Sequence, residues 1–230
     1  MDLIAHRGAP NKVYPENSMS AFGQAVKDGL TFLEFDLRLT EDDQFVVIHD
    51  DTLQRTCDVP ESHKKTPVGW LTAEEIRSCP LLGTGEPVPT LEQMLSLLEE
   101  HPEVTLLPEL KDHSPHAARL LMGQLRHLPG RGRIIIQSLE HRQLEMIGEA
   151  TDLSVCPLYR FRPESVDGLR CEWEAPMAEG LLFRPSTVQQ VHRSGRKVAA
   201  WFLVTERWQW LRRHLEEKGV DAIMVDTYSR

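Results

Sequence analysis

Several common building materials are scarce in this sequence. Its 230 residues hold four cysteines, Cys57, Cys79, Cys156 and Cys171. They form no C-x-x-C and have no histidine at zinc-finger spacing, so free thiols in a reducing compartment are expected. No stretch approaches the roughly 18 apolar residues of a membrane span. The opening Met1-Asp2-Leu3-Ile4-Ala5-His6-Arg7 lacks the basic segment and apolar run of a signal peptide. A soluble, cytoplasmic protein with no stable membrane association is the expectation. Cations are outnumbered, 26 Lys and Arg against 35 Asp and Glu, for a formal net charge of -9. That excludes a general nucleic-acid binder, because neutralising a phosphate backbone takes clustered Lys and Arg. A local basic site for one phosphate is still allowed.

What is present is an ordinary globular mixture, 40% hydrophobic and 27% charged, which is too apolar for a disordered chain. Short apolar runs alternate with amphipathic stretches. Residues 3–5 read as a strand and 17–28 as a helix, with Asn17 or Ser18 as N-cap and Gly29 as its stop. Phe32 to Leu39 alternates apolar and polar with period two, and 45–48 answers it across the turn 41–44, as in a hairpin. From 51 to 89 the period is lost and Pro, Gly, Thr and Lys gather, with one short helix near 72–77. That segment reads as an insertion within one domain spanning 1–230. Thr90 then caps a helix to about residue 100.

Beyond it the alternation is regular. Strands are expected at 104–107, 133–137, 153–158, 169–173 (or, for the same slot, 181–183), 197–202 and 222–225. Helices are expected at 115–127, 141–149, 187–194 and 206–218. Setting the 45–48 arm aside leaves eight strands with helices between most of them. The expected fold is α/β, a parallel (β/α)8 TIM barrel with a small insertion after the second-strand hairpin. An open doubly wound sheet is the runner-up, and no G-x-G-x-x-G comes after the first strand to support dinucleotide binding there.

Function in such folds collects at the carboxyl ends of strands. There the sequence places His6-Arg7-Gly8, Glu34 and Asp36, His49-Asp50, Glu109 and Lys111, then Gln137-Ser138. Glu34 and Asp36 are two apart and share one face. Side by side they repel unless a positive charge lies between them. A hard divalent cation, with Glu109 as a third oxygen ligand, is the economical answer, and an all-oxygen set suits Mg²⁺ or Ca²⁺. The plainer reading is a set of ion pairs with Arg38 or Lys111. His6 and His49 are the natural proton-transfer pair. Arg7 and Lys111 supply fixed positive charge for phosphate oxygens. Metal, two imidazoles and two cations together describe phosphoryl-ester chemistry.

His6-Arg7-Gly8, Pro15-Glu16-Asn17-Ser18 with Ala21-Phe22, Glu34-Phe35-Asp36 with Leu39-Thr40 and Asp42, and Val47-Ile48-His49-Asp50 with Leu53 and Arg55-Thr56 fall in that order. Together they resemble the glycerophosphodiester phosphodiesterase family. Pro89-Thr90-Leu91-Glu92, Glu109-Leu110-Lys111, Gly219-Val220-Asp221 and Asp226 continue the resemblance. It runs from about residue 3 to 228 and is densest in the first 56. It implies a (β/α)8 barrel with a small insertion, and hydrolysis of a small-molecule glycerophosphodiester to an alcohol and sn-glycerol 3-phosphate with one divalent metal. It further implies Glu34, Asp36 and Glu109 as metal ligands, His6 and His49 as acid and base in either order, and Arg7 and Lys111 as phosphate contacts. The nucleophile is water or a neighbouring hydroxyl of the substrate.

The chain departs from the family at Pro108, where a bulge or irregular strand end is expected because proline lacks the ladder N–H. It departs again at Trp201-Phe202-Leu203-Val204, where the family has Trp-Thr-Val-Asn, and at Val225, where threonine is common. Trp201 is expected to pack against the glycerol or the leaving group, or else within the barrel rim. Two other readings stand beside the hydrolase. One is a lysophospholipase D using Val68, Trp70, Leu71, Leu81 and Leu82 as an apolar groove. The other is a catalytically idle barrel that binds a phosphodiester. Simpler readings suffice elsewhere: Ser114-Pro115 opens a helix beside His113 and His116, Trp208 and Trp210 cover the barrel, and 126–133 is a solvated loop.

Overall fold

The structure, a computed structural model, describes residues 1–184, 186–202 and 208–228. Leu203 and Val204, and the expected helix start at 206, lie outside the described residues, as do the side chains of Trp208 and Trp210. Nine strands are described: β1 (Asp2–Ala5), β2 (Phe32–Leu39), β3 (Phe45–Val47), β4 (Thr105–Leu110), β5 (Ile135–Ser138), β6 (Ser154–Tyr159), β7 (Trp173–Pro176), β8 (Lys197–Ala200) and β9 (Ala222–Val225). All but β3 pair in parallel, in the order β1-β9-β8-β7-β6-β5-β4-β2, and β1 also pairs with β2, which closes a (β/α)8 barrel. Closure removes the open-sheet alternative.

The long β2 explains how the site is built. Its first half pairs with β1 (Ile4↔Phe32, Ala5↔Leu33). β1 ends there, and the freed edge is taken by β3, antiparallel, from Leu37↔Val47 to Leu39↔Phe45. β3 and the His49-Asp50 turn beyond it therefore stand at the carboxyl end of the barrel. The helices are α1 (Met19–Lys27), α2 (Ala73–Arg77), α3 (Leu91–Glu100), α4 (Pro115–Leu125), α5 (His141–Ala150), α6 (Ala178–Phe183), α7 (Ser186–Arg193) and α8 (Trp208–Glu217). Side-chain caps start most of them. Ser18 accepts from the Ala21 amide, Thr72 and Thr90 form capping boxes with Glu75 and Gln93, and Ser114 precedes Pro115. No helix among the described residues is long and apolar enough to cross a membrane.

Strand alternation divides the core. Ile4, Leu107, Ile135, Cys156, Trp173 and Ala199 fill the barrel, while Leu33, Phe35 and Leu37 face outward onto Phe22, Met94 and Leu98 of the helix layer. Residues 51–89 pack a small core against Val46 and Ile48, in which Val68, Leu71 and Leu81 are buried; Trp70 and Leu82 stay exposed. Three cysteines are buried, and all four are free thiols.

Two expectations need correction, and that for Pro108 holds only in part. Pro108 causes no bulge against β2: the register runs unbroken through Phe35↔Pro108 to Leu37↔Leu110. The amides of Thr105 and Lys111 donate to Thr31 and Leu37 on the β2 side, so by alternation position 108 faces β5. There the ladder is interrupted between Leu106↔Ile134 and Glu109↔Gln137 without changing register. Proline is tolerated because only that one edge loses a donor. The seventh strand is 173–176, overlapping the expected 169–173 only at Trp173, and 181–183 is helical. Finally, Arg133 is no solvated loop residue, since its guanidinium donates to the carbonyls of Leu98, His101 and Val104.

Candidate active site

Glu34 and Asp36 point from β2 into the carboxyl end of the barrel, and β4 brings Glu109 beside Asp36 in register. One carboxylate oxygen of each lies within 4.8 Å of the others. Both β2 acids are 1% exposed, so their charge must be met inside the protein. Part of it is met by Lys111, 3.1 Å from Asp36 and 2.7 Å from Glu109, and by Arg7, whose Nε lies 3.1 Å from Asp36. Asn17 donates to Asp36 at 2.8 Å, and the Arg7 amide donates to Glu34 at 2.8 Å. Of the alternative pairings, with Arg38 or Lys111, the one with Lys111 forms, while Arg38 donates to the His49 carbonyl at 2.8 Å.

This partial neutralisation leaves the cluster overcharged. Burial, and then the neighbouring Asp36 charge, pushes the Glu34 carboxyl up to about 7. For Asp36, burial would raise the pKa, but Lys111 and Arg7 outweigh it and hold the group well below its ordinary value. Asp36 Oδ1 is buried and makes no hydrogen bond; its close contact is the Lys111 ammonium at 3.1 Å. Three convergent carboxylates, two of them buried and together only partly neutralised, fit a hard divalent cation by donor chemistry and charge.

The turn after β1 is held in an uncommon backbone conformation. Arg7 and Ala9 have φ of 51° and 54°, and Gly8 has φ 82° between them. A Cβ on Gly8 would come within 2.9 Å of the Ala21 side chain, so glycine is required for α1 to pack against this turn. Left-handed geometry at non-glycine residues is costly and persists where surrounding structure enforces it. Here it turns the Arg7 amide onto Glu34 and His6 over the cluster.

Each histidine is held by its own carboxylate. His6 Nδ1 bonds Asp226, beyond the end of β9, and His49 Nδ1 bonds Asp50 at 2.7 Å. An ionised carboxylate only accepts, so Nδ1 carries the proton in both rings and Nε2 is left for chemistry. His6 Nε2 lies 4.0 Å from Glu34. Burial by itself would lower the His6 pKa, but the Asp226 bond and the Glu34 charge carry it above the ordinary imidazole value. At His49 burial prevails over Asp36 and Asp50, and its pKa is lowered. Arg55 from the 51–89 segment braces Asp50 at 2.6 Å and Glu16 at 2.7 Å, and Glu16 also holds Arg7 at 3.0 Å.

These groups share one cavity of about 430 Å³. His6, Arg7, Glu34, His49, Glu109 and Lys111 line it, and so does Trp201, whose indole N–H donates to the Ala175 carbonyl at 3.0 Å. Asp36 lies just beneath. All the site residues expected from sequence therefore come together. The sequence named Asp50, Asp226, Glu16 and Arg55 only as motif residues, with no role as partners of the imidazoles or of Arg7, and it gave no sign of a wall carrying Arg160. Asp50 was signalled by adjacency to His49. Asp226 stood out in the resemblance, but its pairing with a residue 220 positions away left no local signal.

A (β/α)8 barrel whose catalytic-end cavity joins three convergent carboxylates, two carboxylate-held imidazoles and two cations defines a phosphodiester hydrolase. Residues 6–229 match the Glycerophosphoryl diester phosphodiesterase family, and the chain belongs to it. A glycerophosphodiester phosphodiesterase of Caldanaerobacter subterraneus subsp. tengcongensis is 28% identical over 97% of this chain and 93% of its own length. The Bacillus subtilis protein YhdW is 40% identical, but over only 49% of this chain and 46% of YhdW. Among solved structures, a Parabacteroides distasonis glycerophosphodiester phosphodiesterase superposes with TM-score 0.81 at 24% identity, covering 98% of this chain and 92% of that one. An Oleispira antarctica phosphodiesterase in complex with the product sn-glycerol-3-phosphate gives 0.80 at 21%, covering 98% and 93%. At these identities the superpositions establish the shared fold; the family match carries the activity, glycerophosphodiester hydrolysis.

Proposed function

We propose that this enzyme cleaves glycerophosphodiesters to an alcohol and sn-glycerol 3-phosphate, with a divalent metal and with His6 and His49 as its proton-transfer pair. The observation that carries this reading is the convergence of Glu34, Asp36 and Glu109 in one cavity with two imidazoles that each have Nδ1 tied to a carboxylate. Glu34, Asp36 and Glu109 would hold the ion, Mg²⁺ or Ca²⁺, whose contribution when bound is to polarise a phosphoryl oxygen. Arg7 and Lys111 present positive charge to the phosphate while balancing the buried acids. One imidazole takes the proton of the nucleophile, water or the substrate's neighbouring hydroxyl, and the other gives a proton to the departing alkoxide. Trp201 supplies an apolar wall for the glycerol or the alcohol. The Oleispira enzyme, bound to sn-glycerol 3-phosphate on the same fold, supports the assignment of product.

A lysophospholipase D is less well supported, because Val68, Leu71 and Leu81 are consumed in the core of the 51–89 segment. An idle barrel is disfavoured by the intact histidine and carboxylate set. The test is release of sn-glycerol 3-phosphate from glycerophosphocholine, with Mg²⁺, Ca²⁺ or excess EDTA, beside lysophosphatidylcholine. Metal-dependent cleavage of the first is expected. Full turnover in EDTA would remove the metal, and faster cleavage of the acylated substrate would favour the lipase.

A further inference from the structure

The catalytic cavity has two chemically different walls. The first carries the acids, imidazoles and cations described above. The second is made by Leu139, Leu158, Arg160, Trp201, Phe202 and Met224. Five of these six are apolar or aromatic; Arg160, the residue just past β6, is the exception.

The other charged groups lining the cavity already have partners. Arg7 is taken by Glu16 and Asp36, Lys111 by Asp36 and Glu109, and Asp226 by His6. Arg160 is exposed, and its side chain has neither a hydrogen bond nor an ion pair among the described residues. Of the described acids, Glu174 pairs with Arg162 and Arg196, and Asp167 with Arg162. Its backbone, in contrast, is fixed. The Met177 amide donates to the Tyr159 carbonyl at 2.8 Å, and Gly180 of α6 lies so close to the Arg160 carbonyl that a Cβ would have no room. An exposed guanidinium on a fixed base thus lines the same cavity as the acids, imidazoles and cations of the first wall.

A planar, permanently charged fork of donors is suited to a carboxylate or phosphate. In a glycerophosphodiester the glycerol half is an uncharged diol and the bridging phosphate belongs to the first wall. A second negative charge can come only from the alcohol. We infer that Arg160 makes this enzyme select glycerophosphodiesters whose alcohol carries its own carboxylate or phosphate, and disfavour those with a quaternary ammonium. This rests on the hydrolase reading above and names its substrate class.

The experiment compares kcat/KM of the full chain for glycerophosphoserine, for glycerophosphoglycerol phosphate and for glycerophosphocholine, in the unaltered protein, Arg160→Gln and Arg160→Glu. The unaltered protein should prefer the anionic esters over the choline ester by about tenfold, an exposed attraction added to an exposed repulsion. Arg160→Gln should bring that ratio close to one, and Arg160→Glu should invert it. The serine and phosphate arms tell which anion is read. A preference that survives in Arg160→Gln, or a choline preference in the unaltered protein, overturns the inference. Cleavage of none of the three esters would remove the hydrolase reading itself, whereas cleavage without discrimination removes only the role of Arg160.

Discussion

At the scale of single residues, the site works through pairs. Neither imidazole is positioned by its own backbone alone; Asp226 fixes one and Asp50 the other. Replacing His6 or His49 by alanine should lower kcat by about 10²–10⁴, the range for losing a proton-transfer group. Near-normal turnover of either variant on glycerophosphocholine would overturn its role. Asp226→Asn keeps the volume but unsettles the ring's tautomer. A fall in kcat of about 10–100-fold is expected, as for other groups that orient a working histidine. Unchanged kcat would mean that the His6 turn, with its enforced left-handed backbone, suffices to aim the ring.

At the scale of elements, two features carry predictions. No α-helix is described between β6 and β7, and the outer face of β7 presents Glu174, 0% exposed, to Arg162, Arg196 and the Tyr159 hydroxyl. Glu174→Gln leaves the Arg196 guanidinium without a counter-charge and Arg162 with Asp167 alone. The loss should be about 3–5 kcal/mol in urea unfolding, as for breaking other buried pairs. A shift in midpoint worth less than about 1 kcal/mol would show that this network does not secure β7. The second feature is Asp50, lowered from 3.8 to about 2, first by its Arg55 hydrogen bond and also by His49. A depressed carboxylate stabilises the fold above its unfolded pKa and loses that contribution as pH falls through the folded value. Asp50→Asn should therefore be less stable than the unaltered protein at pH 6, by on the order of 1 kcal/mol for a partly exposed pair. The gap should narrow as pH drops from about 4 to 2; a gap independent of pH would locate the effect elsewhere.

At the scale of the whole molecule, binding at the acidic cluster is linked to folding, because Glu34, Asp36 and Glu109 come together only in the closed barrel. A cation at a hundred times its Kd should add about 2.7 kcal/mol, or roughly 5–10 °C in Tm for a chain of this size. The shift is read by thermal unfolding with and without Mg²⁺ or Ca²⁺, and Asp36→Asn should abolish it. Equal Tm in metal and in chelator would exclude these three acids as a resident ion site.

Local rules in the sequence determined much of this. Period two along Phe32 to Leu39 put Glu34 and Asp36 on one face, the caps at Ser18, Thr72, Thr90 and Ser114 set helix starts, and the spacing of alternating elements implied a barrel. The seventh strand escaped because Trp173 to Pro176 contains a buried glutamate whose charge is met by Arg162 and Arg196, so it has no apolar run to betray it. Pro108 interrupts the ladder on one edge without a bulge, because its cost depends on which neighbour its missing donor would face, a property of sheet order. Only the closed structure brought β9 beside β1 and so Asp226 to His6, and only it set Arg160 in one cavity with Arg7 and Lys111. Propensity and pattern act between residues a few positions apart, whereas contacts across a barrel are fixed by strand order and closure, which no short stretch of chain encodes.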